Sequence, residues 1–372
     1  MKFSCEKSLL STAIAIASRA AAVKSAVPSL EGLLIEASAI VKISGYDLKT
    51  GISTTVLADV TEAGSIVLNA RLFGDIVRRL PNDVVTISTD DRFMAQIKCG
   101  MSEFNIMGVS SADYPELPSV DYQNSIYMTQ REMKAMIAQT NFAVSDNEAR
   151  PIHTGSLFDI ENGVMTVVSV DGYRLALRRE RVNEKTEVKQ SSFVVPGSAL
   201  SEVEKIAADS DDLMKITLGS KHIVFMIGNT VLISRRLEGE FLNYKNSIPK
   251  TSKYTVLADR KTLIDAIERV SLIINDKIKS PVRCTFCDGL LKICTSTSLG
   301  RASDECEVSG SADDMEIGFN NKYILDALKA APSDKLKILL TSSVSPCIIV
   351  PDGEDGNFLY MILPVRLKAN EN

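Results

Sequence analysis

The sequence predicts an α+β fold made of three repeated domains, each containing two similar halves. Segments that begin at Met1, Ile126 and Lys253 each combine a short apolar strand, a polar turn and a helical apolar pattern. A second copy of this pattern lies halfway along each repeat, and the residues between copies alternate between apolar and polar as strands do. A pattern that recurs at a fixed period indicates repeated structural units, so six equivalent helices are expected.

Size and composition agree with this organisation. A chain of 372 residues is longer than one ordinary domain, and we place the domains at residues 1–125, 126–252 and 253–372. A hydrophobic content of 45% with 24% charged residues is typical of soluble globular proteins. The sequence has no apolar run of about 18 residues, which predicts no membrane span and no membrane partner.

The apolar stretch LLSTAIAIASRAAAV (9–23) has the alternative interpretation of a secretory signal. Glu6 stands where such a signal carries only positive charge, and Ser11, Thr12 and Ser18 suit an amphipathic helix better. We therefore expect the first of the six helices here and a cytoplasmic protein.

Four of the seven cysteines, Cys284, Cys287, Cys294 and Cys306, lie close together in the sequence. Cys284 and Cys287 have the CxxC spacing of a zinc site. The surrounding VRCTFCDGLLKICTST alternates like a hairpin around its Asp-Gly pair, and on a strand these two side chains point to opposite faces. We expect buried, reduced structural thiols, without excluding a metal or redox role.

The six helices share an apolar register, with core positions at 0, 1, 4, 5 and 8 from the first one. The clearest copies are Leu9, Leu10, Ala13, Ile14 and Ala17, then Leu72, Phe73, Ile76, Val77 and Leu80, and last Tyr323, Ile324, Ala327, Leu328 and Ala331. These positions form one stripe along a helix. The opposite face, at positions −1 and +6, is never acidic. Its basic residues are Arg71, Arg78, Arg131, Lys205, Arg269, Lys322 and Lys329, with Arg19 on the same face of the first helix.

A solvated helix explains one such face, but agreement in sign across six equivalent helices favours binding of a polyanion. The net charge of −5 implies that the remaining surface is acidic. Helices would then line one side of an arc of repeats and sheets the other. Few aromatic residues lie among the basic ones, so duplex DNA held through its phosphates is favoured over stacked single strands.

Four segments carry a resemblance to a known protein family: DGYRLAL (171–177), EGEFLNY (238–244), EIGFNNKYILDAL (316–328) and YMILPVRL (360–367). The whole chain resembles the bacterial sliding-clamp family, the beta subunits of DNA polymerase III. The resemblance implies two βαβββ units per domain and a head-to-tail homodimeric ring with helices inside and sheets outside. It implies a DNA polymerase processivity factor that slides on duplex DNA independently of sequence, has no catalytic site and needs no cofactor. Implied partners are the polymerase III alpha subunit, an ATP-driven clamp-loader complex and other proteins that carry a clamp-binding motif.

The resemblance also implies residue roles. At the dimer interface, Phe104 of the first domain would meet Leu272 and Ile273 of the third, flanked by acids such as Asp304, Glu305 and Glu307. DNA contacts would add Lys24, Asn147 and Arg150 to the basic helix positions. A partner-peptide groove, which receives a motif ending in Leu or Phe, would be lined by His153, Val170, Gly172, Tyr173, Arg174, Leu175, Leu242, Asn246, Ser247, Val344, Pro346, Met361, Leu363, Pro364, Val365 and Arg366.

The sequence departs from the family pattern in this groove. Leu242 stands where a proline is common, Asn246 and Ser247 replace more basic and more apolar residues, and His153 takes an apolar position. The DGYRLAL segment also has the pattern of a hairpin that turns at Asp171 and Gly172. We expect it to be both a hairpin and part of the groove. These departures predict an altered peptide preference.

The sequence disfavours two other functions, an enzyme and a scaffold that binds proteins but not DNA. An enzyme is disfavoured because the two histidines, His153 and His222, show no accompanying nucleophile, and no GxxxxGK[ST] or HExxH motif is present. A scaffold that binds proteins but not DNA is disfavoured by the repeated basic helix positions.

Overall fold

The structure is a computed structural model, which describes residues 1–119, 125–275, 280–353 and 356–367. Its α-helices are α1 Lys7–Ala17, α2 Ala70–Arg79, α3 Gln130–Ala138, α4 Gly197–Ile206, α5 Tyr244–Ser247, α6 Arg260–Ser271 and α7 Asn321–Ala330. Short 3-10 turns cover Ser18–Ala20, Pro28–Glu31, Ser111–Asp113, Asn141–Ala143 and Pro151–Thr154. None of the helices within those ranges is long and apolar enough to cross a membrane.

Strands make up most of the remaining regular structure. In the first third of the chain they are β1 Lys2–Glu6, β2 Gly32–Ala37, β3 Val41–Tyr46, β4 Thr50–Val56, β5 Asp59–Glu62, β6 Gly64–Asn69, β7 Val84–Thr89, β8 Met94–Cys99 and β9 Ser102–Met107. The next are β10 Ser125–Thr129, β11 Gly155–Glu161, β12 Val164–Val170, β13 Arg174–Arg181, β14 Gln190–Pro196, β15 Leu213–Leu218, β16 His222–Ile227 and β17 Thr230–Arg235. The last are β18 Tyr254–Asp259, β19 Val282–Phe286, β20 Leu290–Thr297, β21 Gly300–Ser309, β22 Met315–Phe319, β23 Lys335–Leu340, β24 Cys347–Pro351 and β25 Phe358–Ile362.

The predicted repeat is confirmed, because one strand, one helix and three strands follow each other six times. The six units start at β1, β6, β10, β14, β18 and β22, and among the described strands and α-helices only β5 and the one-turn helix α5 stand outside the pattern.

Contacts divide the chain into two compact units. The first comprises Met1–Arg131, Asn183–Val188 and Ser201–Arg236. It holds a five-stranded sheet, ordered β5-β1-β7-β8-β9, and an eight-stranded sheet, ordered β10-β15-β16-β17-β4-β3-β2-β6. The eight-stranded sheet runs from the first repeat into the second through the β4–β17 pairing. In the core of this unit, α1 packs on α2 and on β4.

The second compact unit comprises Glu132–Val182, Lys189–Leu200 and Leu237–Asn372. Its twelve-stranded sheet has the order β14-β11-β12-β13-β25-β24-β23-β18-β21-β20-β19-β22. Here β13 of the second repeat pairs with β25 of the third, in a register that sets Leu175 opposite Met361. This pairing brings together sequence segments that are nearly 200 positions apart, and the candidate groove lies around it.

Side-chain capping starts α2 in the first unit and α7 in the second, whereas α1 begins without a side-chain cap. The Asn69 amide oxygen accepts from the backbone N–H of Leu72 at 3.0 Å, and Asn320 caps α7 in the same way. The apolar stripe differs from the prediction at position zero. Leu9 is 46% and Leu72 48% exposed, since this position lies at the border of the stripe, while the following core positions are buried.

The cysteine-containing hairpin is confirmed. β19 and β20 pair antiparallel, and Gly289 turns the chain at φ +69°. Cys284 and Cys306 are buried, as expected, and burial raises the pKa of the Cys306 thiol to about 11. The expectation of burial was wrong for Cys287 and Cys294, which are only half-buried. Within the described ranges no three His, Cys, Asp or Glu side chains are placed to hold a metal ion.

Candidate partner groove and nucleic-acid surface

Five apolar side chains form a continuous row across one face of the twelve-stranded sheet. The strand registers set Val170 opposite Leu175, Leu175 opposite Met361, Met361 opposite Ile348, and Ile348 opposite Leu339. Residues directly opposite on antiparallel strands share a face. The first four side chains are at most 8% exposed and belong to one apolar cluster, against which Leu339 packs. We call these five residues the groove floor.

Large apolar side chains stay exposed where these strands end. Tyr173 lies in the β12–β13 turn, Val344 in the β23–β24 loop, and Leu363 and Val365 follow β25. They are 61%, 74%, 36% and 38% exposed, respectively. All three segments leave the sheet at the same end, since Arg174 and Cys347 both pair with Ile362. Exposed apolar groups gathered in this way mark an interaction surface. We call these four residues the groove rim.

The C-terminal strand β25 lies between β13 and β24 in the sheet, and the chain then continues past the end of the sheet. Leu363 donates its backbone N–H to the carbonyl of Tyr173 at 2.8 Å, and Val365 donates to the carbonyl of Gly318 at 2.8 Å. Pro364 lies between them, half-buried, and Arg366 is exposed. Met361 therefore backs the site as core, whereas Leu363 remains accessible on its surface.

The β12–β13 turn is held by a tightly satisfied polar network. The Asp171 carboxylate accepts from the backbone N–H groups of Tyr173 at 2.9 Å and Arg174 at 3.0 Å, and Gly172 adopts φ +94°. This confirms the hairpin interpretation of DGYRLAL. Such side-chain-to-backbone bonds pre-form a turn without a ligand.

The buried side chain of Arg174 holds this turn in place. Its guanidinium donates to Asp171 at 2.9 Å, to Asp326 of α7 at 2.7 Å and to the carbonyl of Phe142 at 2.7 Å. It also lies 4.5 Å from the ring centroid of Tyr323, and that ring stacks on Tyr173 at 6.1 Å. Arg174 is only 8% exposed, so its charge is satisfied within the chain and it positions Tyr173.

The segment before α5 packs against the same cluster. Phe241 and Tyr244 contact it, while Leu242 between them is 41% exposed. Tyr244 donates its hydroxyl to Asp159 at 2.7 Å, and burial together with this bond raises the Tyr244 pKa to about 12. In α5, Asn246 is exposed and Ser247 half-buried, with their turn capped by Asn243.

His153 and Pro346 complete the predicted groove residues, and both are half-buried. The His153 ring packs edge-on against Phe241 with 5.7 Å between centroids. Burial, reinforced by the positive charge of Arg150, lowers the pKa of His153. His153 therefore acts as a neutral, largely apolar group near pH 7, in agreement with the apolar position that it occupies.

Sequence reasoning missed several contributors to this site. Ile348 completes the floor, and Tyr323 and Asp326 hold the rim, although helical periodicity marked Tyr323 only as core. A pocket of about 290 Å³ opens further along the same sheet, lined by Leu177 and Leu359 with Arg179 and Lys337. The continuous apolar run CIIVP at residues 347–351, which is typical of a buried strand, is the signal that could have identified Ile348.

All ten residues predicted to face DNA are exposed. They lie on the helices or, for Lys24, Asn147 and Arg150, in loops; the Asn147 side chain accepts from the backbone N–H of Ala149 at 3.0 Å and so shapes its own loop. Their exposure permits contact with a ligand.

Five of the cations are paired with carboxylates, which the sequence pattern did not predict. Arg78 pairs with Asp75, Arg131 with Asp209 and Asp211, Lys205 with Glu202, Arg269 with Asp304, and Lys329 with Glu268. Lys24, Arg71, Arg150 and Lys322 make no ion pair with any residue that the structure describes. Asp304, predicted to lie at the dimer interface, is thus already bonded to Arg269 of its own chain.

The predicted interface residues are not core residues. Phe104 on β9 is 40% exposed, Leu272 just after α6 is 83% exposed, and Ile273 is half-buried. Phe104 lies on β9, and among the described strands of its compact unit β9 pairs only with β8. An edge strand presents unpaired backbone groups with which a further strand can pair.

Sequence profiles of one family match nearly the whole chain. The DNA polymerase III beta subunit N-terminal domain matches residues 1–118, its central domain 127–243 and its C-terminal domain 245–366. The beta sliding clamp of Staphylococcus aureus is 31% identical over 377 residues, covering 98% of this chain and 99% of that protein. The protein of the same name from Staphylococcus epidermidis is 32% identical over 354 residues, covering 92% and 93%.

Solved structures agree with the profiles. The DNA polymerase sliding clamp from Bacillus subtilis superposes with a TM-score of 0.93 at 29% identity, covering 99% of this chain and 100% of that one. The beta subunit from the DNA polymerase of Streptococcus pyogenes gives a TM-score of 0.92 at 26% identity with the same coverage.

Proposed function

Because the chain belongs to the DNA polymerase III beta-subunit family, the beta sliding clamps, we propose that it acts as a DNA polymerase processivity factor. Two copies form a head-to-tail ring around duplex DNA, with the helices facing the duplex and the sheets facing outward. In that role the chain is a non-catalytic accessory subunit that works in the cytoplasm. The observation that carries this proposal is the sixfold βαβββ repeat with exposed basic residues on its helices.

Two strand edges support the head-to-tail closure. β9 pairs only with β8, and β21 pairs with β18 through Val308 and Ser309 alone, so residues 300–307 lack a second neighbour among the described strands. Two different edges on one chain can pair with each other in a second copy, and such heterologous contacts form closed rings when the rotation permits. Phe104, Leu272 and Ile273 would supply the apolar contacts at this interface.

The groove gives the clamp its partners. We propose that its floor and rim, together with Leu242, bind a short peptide motif ending in Leu or Phe. Carriers of such a motif would be the polymerase III alpha subunit, the clamp loader and other clamp-binding proteins. A few apolar anchors in a dry pocket dominate the affinity of interfaces of this kind. The pre-formed turn at Asp171 and the fixed floor reduce the ordering cost of binding.

DNA contact through exposed lysine and arginine side chains is independent of sequence and permits sliding. The alternative of a scaffold that does not bind DNA has one supporting observation, namely the neutralisation of five cations by carboxylates. Loading the protein with its clamp loader onto nicked circular plasmid separates the two functions. A clamp stays on the circle and is lost after linearisation, whereas a scaffold is lost equally from both.

A further inference from the structure

The carboxylates that pair with the DNA-facing cations lie on both compact units and in all three repeats. Arg78 and Asp75 are three residues apart on α2, and Glu202 of α4 contacts both Lys205 at 2.7 Å and Arg19 at 3.2 Å. In the third repeat, Glu268 of α6 binds Lys329 of α7 at 2.7 Å. A recurrent arrangement of this kind calls for a common explanation.

Three of the five paired cations have a carboxylate partner that is clearly less exposed than the cation, whereas Asp209 and Asp211, at 78% each, are more exposed than Arg131 at 53%. The carboxylate side chain is less exposed than its cation in the α2 pair, 34% against 67%, and in the α4 pair, 20% against 51%. Asp304 and Arg269 repeat this at 23% against 59%. In these three pairs the cation is outermost and the acid lies beneath it, where it reduces the positive field that a phosphate would meet.

We propose that these paired carboxylates, above all Asp75 and Glu268, restrain the affinity of the helix faces for duplex phosphate. The proposal rests on the function proposed above, because it assumes that the helices face the duplex. A phosphate that approaches Arg78 or Lys329 must compete with a carboxylate already in contact, so fewer counterions are released and less affinity is gained. Weak contacts also lower the barriers between successive positions along the DNA, which favours sliding.

The pattern assigns a different role to the cations without a carboxylate. Lys24, Arg71, Arg150 and Lys322 have no ion-pair partner in the described part of the chain. They would supply most of the electrostatic attraction, and the paired cations would supply contacts that form and break readily.

The test compares three single variants that each remove one negative charge. Asp75→Asn frees Arg78 and also Arg79, which lies 3.8 Å from the same carboxylate, and Glu268→Gln frees Lys329. Glu161→Gln is the control for the loss of one negative charge, since Glu161 lies on β11, outside the basic helix faces. It pairs with Lys245 at 3.2 Å, with side-chain exposures of 56% for Glu161 and 57% for Lys245, and Lys245 keeps a second carboxylate, Asp159, at 3.3 Å. The exposures in the Glu268–Lys329 pair are closely similar, at 47% and 54%. Binding to a short linear fluorescent duplex is followed by anisotropy from 50 to 200 mM salt.

The expected result is tighter binding at low salt for Asp75→Asn and Glu268→Gln, with a salt slope steeper by about 0.9 for each freed cation that reaches a phosphate. Over this salt range, that slope means a loss of affinity about 3.5-fold larger than for the wild type. Adding Lys329→Gln to Glu268→Gln should cancel the gain. Equal slopes for both helix variants and Glu161→Gln would overturn the proposal.

Plasmid retention, and not the anisotropy measurement, tests whether the protein forms a ring. Linear duplex binding does not require a closed ring, so the anisotropy result stands independently of plasmid retention. A wild type that is lost equally from circular and linear plasmid contradicts the clamp function, whereas unchanged salt slopes contradict only the restraint by carboxylates.

Discussion

Replacement of Asp326 by alanine is expected to weaken peptide binding without touching the peptide site. Asp326 lies on α7, and its carboxylate accepts a hydrogen bond from the Arg174 guanidinium at 2.7 Å. Arg174 in turn supports Tyr173 on the groove rim through the turn that Asp171 closes. The substitution leaves the buried guanidinium with two of its three acceptors.

The magnitude follows from burial. The Arg174 side chain is 7% and the Asp326 side chain 28% exposed, so the lost bond is a mostly buried, charge-assisted one worth about 1.5–3 kcal/mol. We expect the free energy of unfolding to fall by that amount. If the peptide binds only the ordered turn, the free energy of the lost bond is also subtracted from the free energy of peptide binding. The peptide affinity then falls roughly 10- to 150-fold.

The assay is anisotropy of a labelled peptide ending in Leu or Phe, with urea unfolding measured in parallel. Asp334→Ala is the control, because its pair with Arg260 spans 3.6 Å with the carboxylate 93% exposed and contributes almost nothing. Asp326→Asn keeps an acceptor and should fall between wild type and Asp326→Ala. A stability loss in Asp326→Ala with unchanged peptide affinity would refute the positioning role.

Three further outcomes are expected. Leu272→Asp should give a folded monomer in sedimentation, because an exposed side chain is changed while an apolar contact at the ring joint becomes an unpaired charge; an intact dimer would rule out that joint. Lys322→Ala should weaken duplex binding more than Lys329→Ala, since only Lys329 is already paired with a carboxylate, and equal losses by anisotropy would contradict the reasoning. His153→Phe should reduce the loss of stability on acidification. The pKa of His153 is lowered in the folded chain, so the unfolded chain takes up the proton first and stability falls as the pH drops below about 6.5. Identical pH profiles for urea unfolding of the variant and the wild type would contradict this assignment.

Local patterns predicted the fold well. Strand alternation and a shared helix register gave all six units, because each side chain's face follows from its spacing along one element. The register failed at Leu9 and Leu72, which lie at the border of the stripe, where a helix meets both core and solvent.

The site was less accessible to sequence reasoning because it depends on contacts between distant segments. The floor requires Leu175 opposite Met361, and the pairing of Arg269 with Asp304 crosses from a helix to a strand. No periodicity predicts either contact. The pairing of Asp75 with Arg78, three residues apart on one helix, could have been anticipated.

The most direct test of the clamp function is retention on plasmid DNA after loading. We expect protein loaded on nicked circular DNA to co-elute with it, and a single cut in the circle to release the protein, which slides off the ends. Equal retention before and after the cut, or equal loss from both forms, would contradict a ring that holds DNA by topology.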